Sequence, residues 1–515
     1  MIIKMYIFIL KLYHSYFLYL ELNRSYSASK KQMFSVCRQF YFSKVTFVAL
    51  PSKYQRALHH ESKHKIEKIK LREPFAVVAG SLPKTALNGE QAFNFLNDGA
   101  KVFIHGGAAT PTILISEFYN YVMAKKLKNI SAYHIHTEGP FPIINPEASS
   151  HVRSVSLFTG SNCRDPIKSG RADYVPIFLS EIPLLFRRNI IKLDLALLNI
   201  SPPDVNGYCS LGPSVDVTRA AIESAKHLVG QINPSLPVTS GDAHVHISNF
   251  TSIIHGDMPC HFMNPRQMTE VEDKIGALIA DNLIDDGATL QTGIGAIPDS
   301  VLNKLSNHRN LGVHTEMFSD GIIKLVENGV ITNANKVVRP GKVVTSFVIG
   351  TENVFKFLHD NPLIEFRDVA WVNSPFVIAR NPKPVSINSC IEVDLTGQIV
   401  SDSVGSRIYS GFGGQVDFIR GAAIAEDGLG KPIIALPSTT KRGESKISPY
   451  LKPGAGVVTS RAHAHYVVTE YGIAYLFGRS LRQRAHALIQ IAHPDHRESL
   501  EKASFEQLKV IPSAD

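Results

Sequence analysis

The sequence predicts an α/β protein of two tandem lobes related by an internal duplication, and three observations carry that reading. From about residue 75 onward, apolar runs of strand type alternate with stretches of helical spacing. Asp98-Gly99-Ala100 is echoed by Asp286-Gly287-Ala288, and after each an apolar strand, a glycine turn and a proline follow in that order. His136-Thr137-Glu138 is echoed by His314-Thr315-Glu316, so two short patterns recur in the same order about 180 to 190 residues apart.

Length and composition fit this. A chain of 515 residues exceeds one core, and 44% hydrophobic with 19% charged side chains is a globular composition. The five cysteines lie far apart with no CxxC pair, which argues against a disulfide framework or a structural zinc and for a reducing compartment. The net charge of +9 is not spread evenly. Residues 1–60 carry nine Lys/Arg and one acid, Glu21, while the remainder holds 45 basic and 44 acidic side chains. The body is therefore nearly neutral, and nucleic-acid binding loses its compositional support. The basic, Ser-rich and aromatic segment over 1–60 has the pattern of a mitochondrial transit segment, with Met33 as a candidate true start. Lys11 and His14 interrupt the apolar residues 5–20, short of the roughly 18 clean positions a spanning helix needs, so a membrane anchor ranks behind transit and a signal peptide third.

The N-terminal lobe is assigned to residues 61–265. Lys101 to Ile104 reads as a strand ending in the turn His105-Gly106-Gly107-Ala108, with Thr110 as N-cap and Pro111 in the first turn of a helix. Arg171 to Phe178 and Leu195 to Ile200 are apolar, proline-stopped and read as buried parallel strands. The C-terminal lobe, 266–515, opens on a helix with Val271, Ile275, Leu278, Ile279 and Leu283 on one face, and the lack of a low-complexity linker near Pro265 predicts a wide interface between lobes. Gly287 to Thr292 is a strand running into Gly293-Ile294-Gly295-Ala296-Ile297-Pro298, a turn that exposes backbone N–H groups at a helix start.

Chemistry centres on Val313 to Gly321, where the lone carboxylate of Glu316 stands between an apolar lead-in and a glycine-closed turn. It could be a nucleophile, a general base or the N-cap of the helix that follows. Gly411-Phe412-Gly413-Gly414 lets backbone approach a ligand closely. A dinucleotide site would rest on Gly293 and Gly295 alone, since Pro298 stands where the third glycine belongs. No phosphate loop GxxxxGK[ST] and no GxSxG elbow occur. His244/His246 and His463/His465 lack a third ligand, so hydrogen-bonding roles are expected rather than a metal. Arg479, Arg482 and Arg484 read as a solvated helix face.

Taken together, His314 to Gly321, the turn at 293–298, Gly411 to Phe418 and Arg461 to Gly472 resemble the acetyl-CoA hydrolase/transferase family, in particular its 4-hydroxybutyrate and acetate:succinate CoA-transferase branches. The resemblance covers roughly residues 75–505. It implies two CoA-transferase-like α/β lobes and a Glu316 that becomes a glutamyl-CoA thioester. It also implies that Gly293, Ile294, Gly295, Ala296 and Ile297, with Gly411, Gly413 and Gly414, line the CoA tail and oxyanion site. Glu138 lacks the Met-Phe-Ser-Asp-Gly context and reads as structural or substrate-facing. Coenzyme A is then a substrate, with no metal or redox cofactor, short-chain acids (acetate and succinate first, 4-hydroxybutyrate second, water as acceptor third) are the partners, no membrane association is expected, and a homodimer is compatible.

Overall fold

The computed structural model describes residues 71–263, 267–293 and 295–515, which fall in one compact unit, residues 68–515. The expected transit segment over 1–60, Met33, the boundary at Pro265 and Ile294 lie outside the described residues.

Two parallel sheets dominate. The first contains β1 (Lys84–Thr85), β2 (Lys101–Ile104), β3 (Ile130–His134), β4 (Val152–Ser156), β5 (Ala172–Tyr174), β6 (Leu195–Ile200), β7 (His227–Ile232) and β8 (Ser252–His255), in the order β1-β8-β7-β6-β2-β3-β4-β5. All its pairs are parallel. The second contains β9 (Thr289–Thr292), β10 (Gly312–Val313), β11 (Pro384–Ser389), β12 (Lys431–Ala435), β13 (Tyr466–Thr469) and β14 (Gly472–Tyr475), in the order β10-β9-β11-β12-β13-β14, with only the last pair antiparallel. Strands β3-β2-β6-β7-β8 and β10-β9-β11-β12-β13 follow the same neighbour order, and each His-Thr-Glu echo begins just beyond the first strand of its series, β3 in one half and β10 in the other. That is the arrangement an internal duplication predicts.

Sequence explains the central strands. Leu-Ala-Leu-Leu-Asn-Ile of β6 is buried at every position because parallel neighbours flank it on both edges and other layers cover both faces. One hydrophobic core runs through both halves, with Phe103 and Leu198 from the first and Ile279, Val313 and Ile433 from the second. Each such side chain contributes roughly 1.5–3 kcal/mol by leaving water. The halves also share backbone bonds: Ser240–Gly241 joins the strand Ile364–Phe366 as a parallel neighbour.

Helices that matter below are α1 (Thr112–Lys125), α2 (Ile182–Arg187), α3 (Glu270–Leu283), α4 (Ala296–Lys304), α5 (Asp320–Glu327), α6 (Val369–Val372), α7 (Gln415–Ala423) and α8 (Leu481–Gln490). The predicted helix α3 begins at a Thr269/Glu272 capping box and buries Ile275, Ile279 and Leu283, while Val271 is exposed. Two local expectations are corrected. Thr110 does not cap α1: Pro111 takes the cap position, and the Thr110 hydroxyl instead donates to the Gly107 carbonyl (2.7 Å) and accepts from the Glu138 N–H (3.1 Å). Arg484 is not solvated: it is buried, and its guanidinium donates to the Thr396 and Arg461 carbonyls at 3.2 and 2.6 Å, because α8 packs onto the loop that follows Asp394. Among the described residues no helix is long and apolar enough to cross a membrane.

Candidate active site

The His-Thr-Glu tripeptide after β10 has a distinct task for each residue. The His314 ring Nε2–H donates to the Val372 carbonyl at 2.8 Å, and burial, with Lys336 nearby, pushes its pKa down to about 3, so the ring is neutral. The Thr315 hydroxyl reaches the Thr292 and Met317 carbonyls at 3.2 and 3.0 Å, tying the segment to the end of β9. The Glu316 carbonyl accepts from the N–H groups of Ser346 and Phe347, both at 3.0 Å, which fixes its backbone. Ser319, not Glu316, occupies the cap of α5, so the capping alternative falls away.

Glu316 is half-buried and lines a cavity of about 460 Å³. Asn373 Nδ2 donates to its Oε2 at 2.8 Å, and the Gly414 backbone also hydrogen-bonds the carboxylate. Burial lifts its pKa to about 7, with the Asp417 charge adding to the rise and those two hydrogen bonds opposing it. Asn373 is delivered by α6. Asp368 caps that helix by accepting from the Ala370 N–H at 2.7 Å and is ion-paired to Arg187 of α2, while His314 holds the last helical carbonyl one residue before Asn373.

The cavity is built from both halves. Gly293, Glu316, Met317, Phe347 and Gly413 meet Ile135, His136, Glu138, Phe158 and Arg164 around it. Gly413 has φ +55, a left-handed conformation that a Cβ disfavours, and its carbonyl accepts from the Leu179 N–H at 2.9 Å. Gly414 is glycine for a different reason: a Cβ there would lie 1.9 Å from Glu316 Oε2 and 2.2 Å from Asn373 Nδ2. Gly411 sits against the Phe158 ring. Of the predicted residues, Glu316, Gly293, Gly413 and Gly414 therefore converge, Gly411 backs the cavity wall, and Gly295 is exposed at the start of α4. The Ala296 and Ile297 side chains are buried in the first turn of α4, Ile297 within the core, so only their backbone is left to face a ligand.

The echo carboxylate, Glu138, lines the same cavity but is engaged differently. A hydrogen bond from His136 holds its pKa below the usual carboxylate value, the opposite of Glu316. His246 bonds Ser248 and the Asn206 carbonyl, and among the described residues no group of three His, Cys, Asp or Glu could hold a metal ion. Sequence reasoning missed Asn373 and, Glu138 apart, the first-half wall. Asn373 stands in Val372-Asn373-Ser374-Pro375, which reads only as a helix end followed by a turn.

Fold and site together define an acyl-transfer enzyme on a duplicated α/β scaffold, with a half-buried carboxylate and two donors converging on it. Residues 81–264 match the acetyl-CoA hydrolase/transferase N-terminal domain, and residues 350–504 match the C-terminal domain. The succinyl-CoA:acetate/propanoyl-CoA:succinate CoA transferase of Fasciola hepatica is 69% identical over 442 residues, 86% of this chain and 92% of that protein. The 4-hydroxybutyrate coenzyme A transferase of Clostridium kluyveri is 44% identical, covering 80% of this chain and 96% of that one. Among solved structures, RipA from Yersinia pestis superposes with a TM-score of 0.78 at 32% identity, covering 83% of this chain and 98% of that one. The 4-hydroxybutyrate CoA-transferase from Porphyromonas gingivalis gives a TM-score of 0.70 at 39% identity, covering 82% and 98%. The chain belongs to the acetyl-CoA hydrolase/transferase family, and it is an enzyme of the CoA-transferase type.

Proposed function

We propose that the enzyme moves CoA between succinate and acetate or another short-chain acid through a covalent thioester on Glu316. The observation that carries this is the Glu316 carboxylate itself, half-buried at the cavity wall with Asn373 on one oxygen and Gly414 beside it. Asn373 engages Oε2, so Oε1 attacks the acyl-CoA carbonyl, and the tetrahedral adduct collapses to a mixed anhydride with release of CoA thiolate. The thiolate then attacks the glutamyl carbonyl. The oxyanion that forms on Oε2 is met by donors already in place, each worth roughly 3 kcal/mol in such sites. Collapse expels the donor carboxylate and leaves the Glu316–CoA thioester, and the acceptor acid reverses both steps, so thioester energy is conserved. The CoA tail is assigned to the backbone of Gly293 and Gly413, both of which line the cavity.

The relatives support the acid pair, and a cavity of about 460 Å³ suits short acyl groups. A second acid, 4-hydroxybutyrate, is favoured by the relative that is 44% identical and by the His136–Glu138 pair, which can bond a terminal hydroxyl.

Incubation with succinyl-CoA and no acceptor should leave CoA attached at Glu316, detected by peptide mass, and a panel of acceptor acids should then discharge it at rates that rank the substrates. Because the attacking form is the carboxylate, adduct formation should fall tenfold per unit as pH drops below an apparent pKa near 7 and level off above it. An adduct on Glu138, or an acid limb at the ordinary carboxylate pH, would refute the assignment.

The basic, acid-poor composition of residues 1–60 supports import into the mitochondrion. Protein isolated from mitochondria should then begin near residue 60, and a mature chain that retains residues 1–60 would exclude their removal.

A further inference from the structure

Asn373 is completely buried, and its Oδ1 accepts from nothing among the described residues. What holds the amide is therefore on its nitrogen side. One N–H reaches Glu316 Oε2 at 2.8 Å and the other points to Asp417 Oδ2 at 3.4 Å, a long contact that steers by charge more than by a short bond. Asp417 is held in turn from the first half of the chain: the Ser180 hydroxyl donates to Oδ1 at 2.8 Å and the Ser180 N–H to Oδ2 at 3.3 Å.

We propose that Asp417, gripped by Ser180, is the positioning residue that keeps the Asn373 amide turned nitrogen-first toward Glu316 through every step of transfer. This rests on Glu316 being the nucleophile.

A side-chain amide can turn over, exchanging its oxygen for its nitrogen. Facing Glu316 alone, the amide would have a competing orientation whenever the glutamate is protonated, because the acid O–H could donate to Asn373 Oδ1. In that orientation the oxyanion would meet a carbonyl instead of a donor. Asp417 removes the choice. The Ser180 N–H can only donate, so Oδ2 is an acceptor whether Asp417 is ionised or carries a proton on Oδ1, where the Ser180 hydroxyl can accept it. An acceptor at Oδ2 requires the Asn373 nitrogen opposite. The titratable and charged groups facing this pair are Glu181 beside Asp417 and, around the Glu316 cavity, His136, Glu138 and Arg164.

The test compares Asp417→Ala, Asp417→Asn and Ser180→Ala with the parent, reading kcat, KM for acyl-CoA and the rate of Glu316–CoA adduct formation. Asn at 417 can place its oxygen at the Oδ2 position and its nitrogen against the Ser180 hydroxyl, so it retains the acceptor without the charge. Asp417→Ala should lower kcat and adduct formation roughly 100-fold with KM nearly unchanged, since a misaimed donor acts on the transition state. Asp417→Asn should recover most of that loss and move the acid limb to lower pH, because a negative neighbour has been removed. Ser180→Ala should lose roughly tenfold. If the parent forms the adduct but Asp417→Ala matches it in kcat, or Asp417→Asn is as impaired as Asp417→Ala, the positioning role is wrong and the Glu316 reading stands. If the parent forms no adduct at Glu316, both fall. Should Asp417→Ala fail to fold, Ser180→Ala decides: an unchanged kcat in that variant overturns the proposal.

Discussion

Glu316→Gln should abolish CoA transfer, by about four orders of magnitude or more, while acyl-CoA affinity stays within a few-fold of the parent. Four orders correspond to roughly 5.5 kcal/mol of transition-state stabilisation. Glutamine keeps the shape and the carbonyl that accepts from Asn373 at 2.8 Å, so the cavity and its donors survive. What it removes is the proposed attacking oxygen, because the amide nitrogen now occupies the Oε1 side and cannot form the anhydride. Glu316→Asp keeps the charge but withdraws it by one methylene, and it should also lose most activity by the loss of attack geometry. Steady-state assays on protein checked for deamidation, together with calorimetric titration of CoA, separate chemistry from binding. Parent-rate transfer by Glu316→Gln would return the search to Glu138.

Why Glu316 was legible and its partners were not follows from where each lies in the chain. Strand, glycine turn and helix start are local matters, and β9, the turn at 293 and α4 follow from residues within about ten positions of one another. The His-Thr-Glu echo marked equivalent places in two sheets, because the duplication preserved strand order as well as sequence. Asn373 is different. It reaches Glu316 from 57 residues away on a helix of four residues, aimed by the Asp368 cap, the His314 bond and an ion pair to Arg187 in the other half. None of these leaves a periodicity or a motif. Ala296 and Ile297 show the reverse case. Their place in the glycine turn motif suggested a ligand wall, but a helix beginning at Ala296 must bury one face, and Ile297 takes the core side. Arg484 reads as solvated because charge usually means surface; three backbone carbonyls, those of Thr396, Arg461 and Arg479, provide the acceptors that make its burial tolerable.

Gly414→Ala separates folding from chemistry more sharply than any other single change. Gly414 has φ −100 and ψ 11, a conformation open to alanine, so no backbone strain is added. The methyl group nevertheless falls 1.9 Å from Glu316 Oε2 and 2.2 Å from Asn373 Nδ2, well inside van der Waals contact. Both atoms are ends of side chains that can swing, so the fold relieves the clash for about 1–3 kcal/mol, typical of modest overpacking. The relief itself is the damage. Glu316 and Asn373 must part by more than an ångström from the Gly414 backbone, so the proposed nucleophile leaves its attack geometry and the proposed donor leaves the oxyanion. Misplacement of about 1 Å costs on the order of 10²-fold, and loss of one oxyanion donor 10²–10³-fold, so kcat should fall by roughly 10²–10³ with KM for acyl-CoA little changed. The acid limb should also move. The hydrogen bonds to Glu316 oppose the rise that burial imposes, so weakening them should carry its pKa higher than about 7 and shift the acid limb of adduct formation to higher pH. A folded Gly414→Ala enzyme with parent kcat would mean that the reacting carboxylate is not the one Gly414 touches.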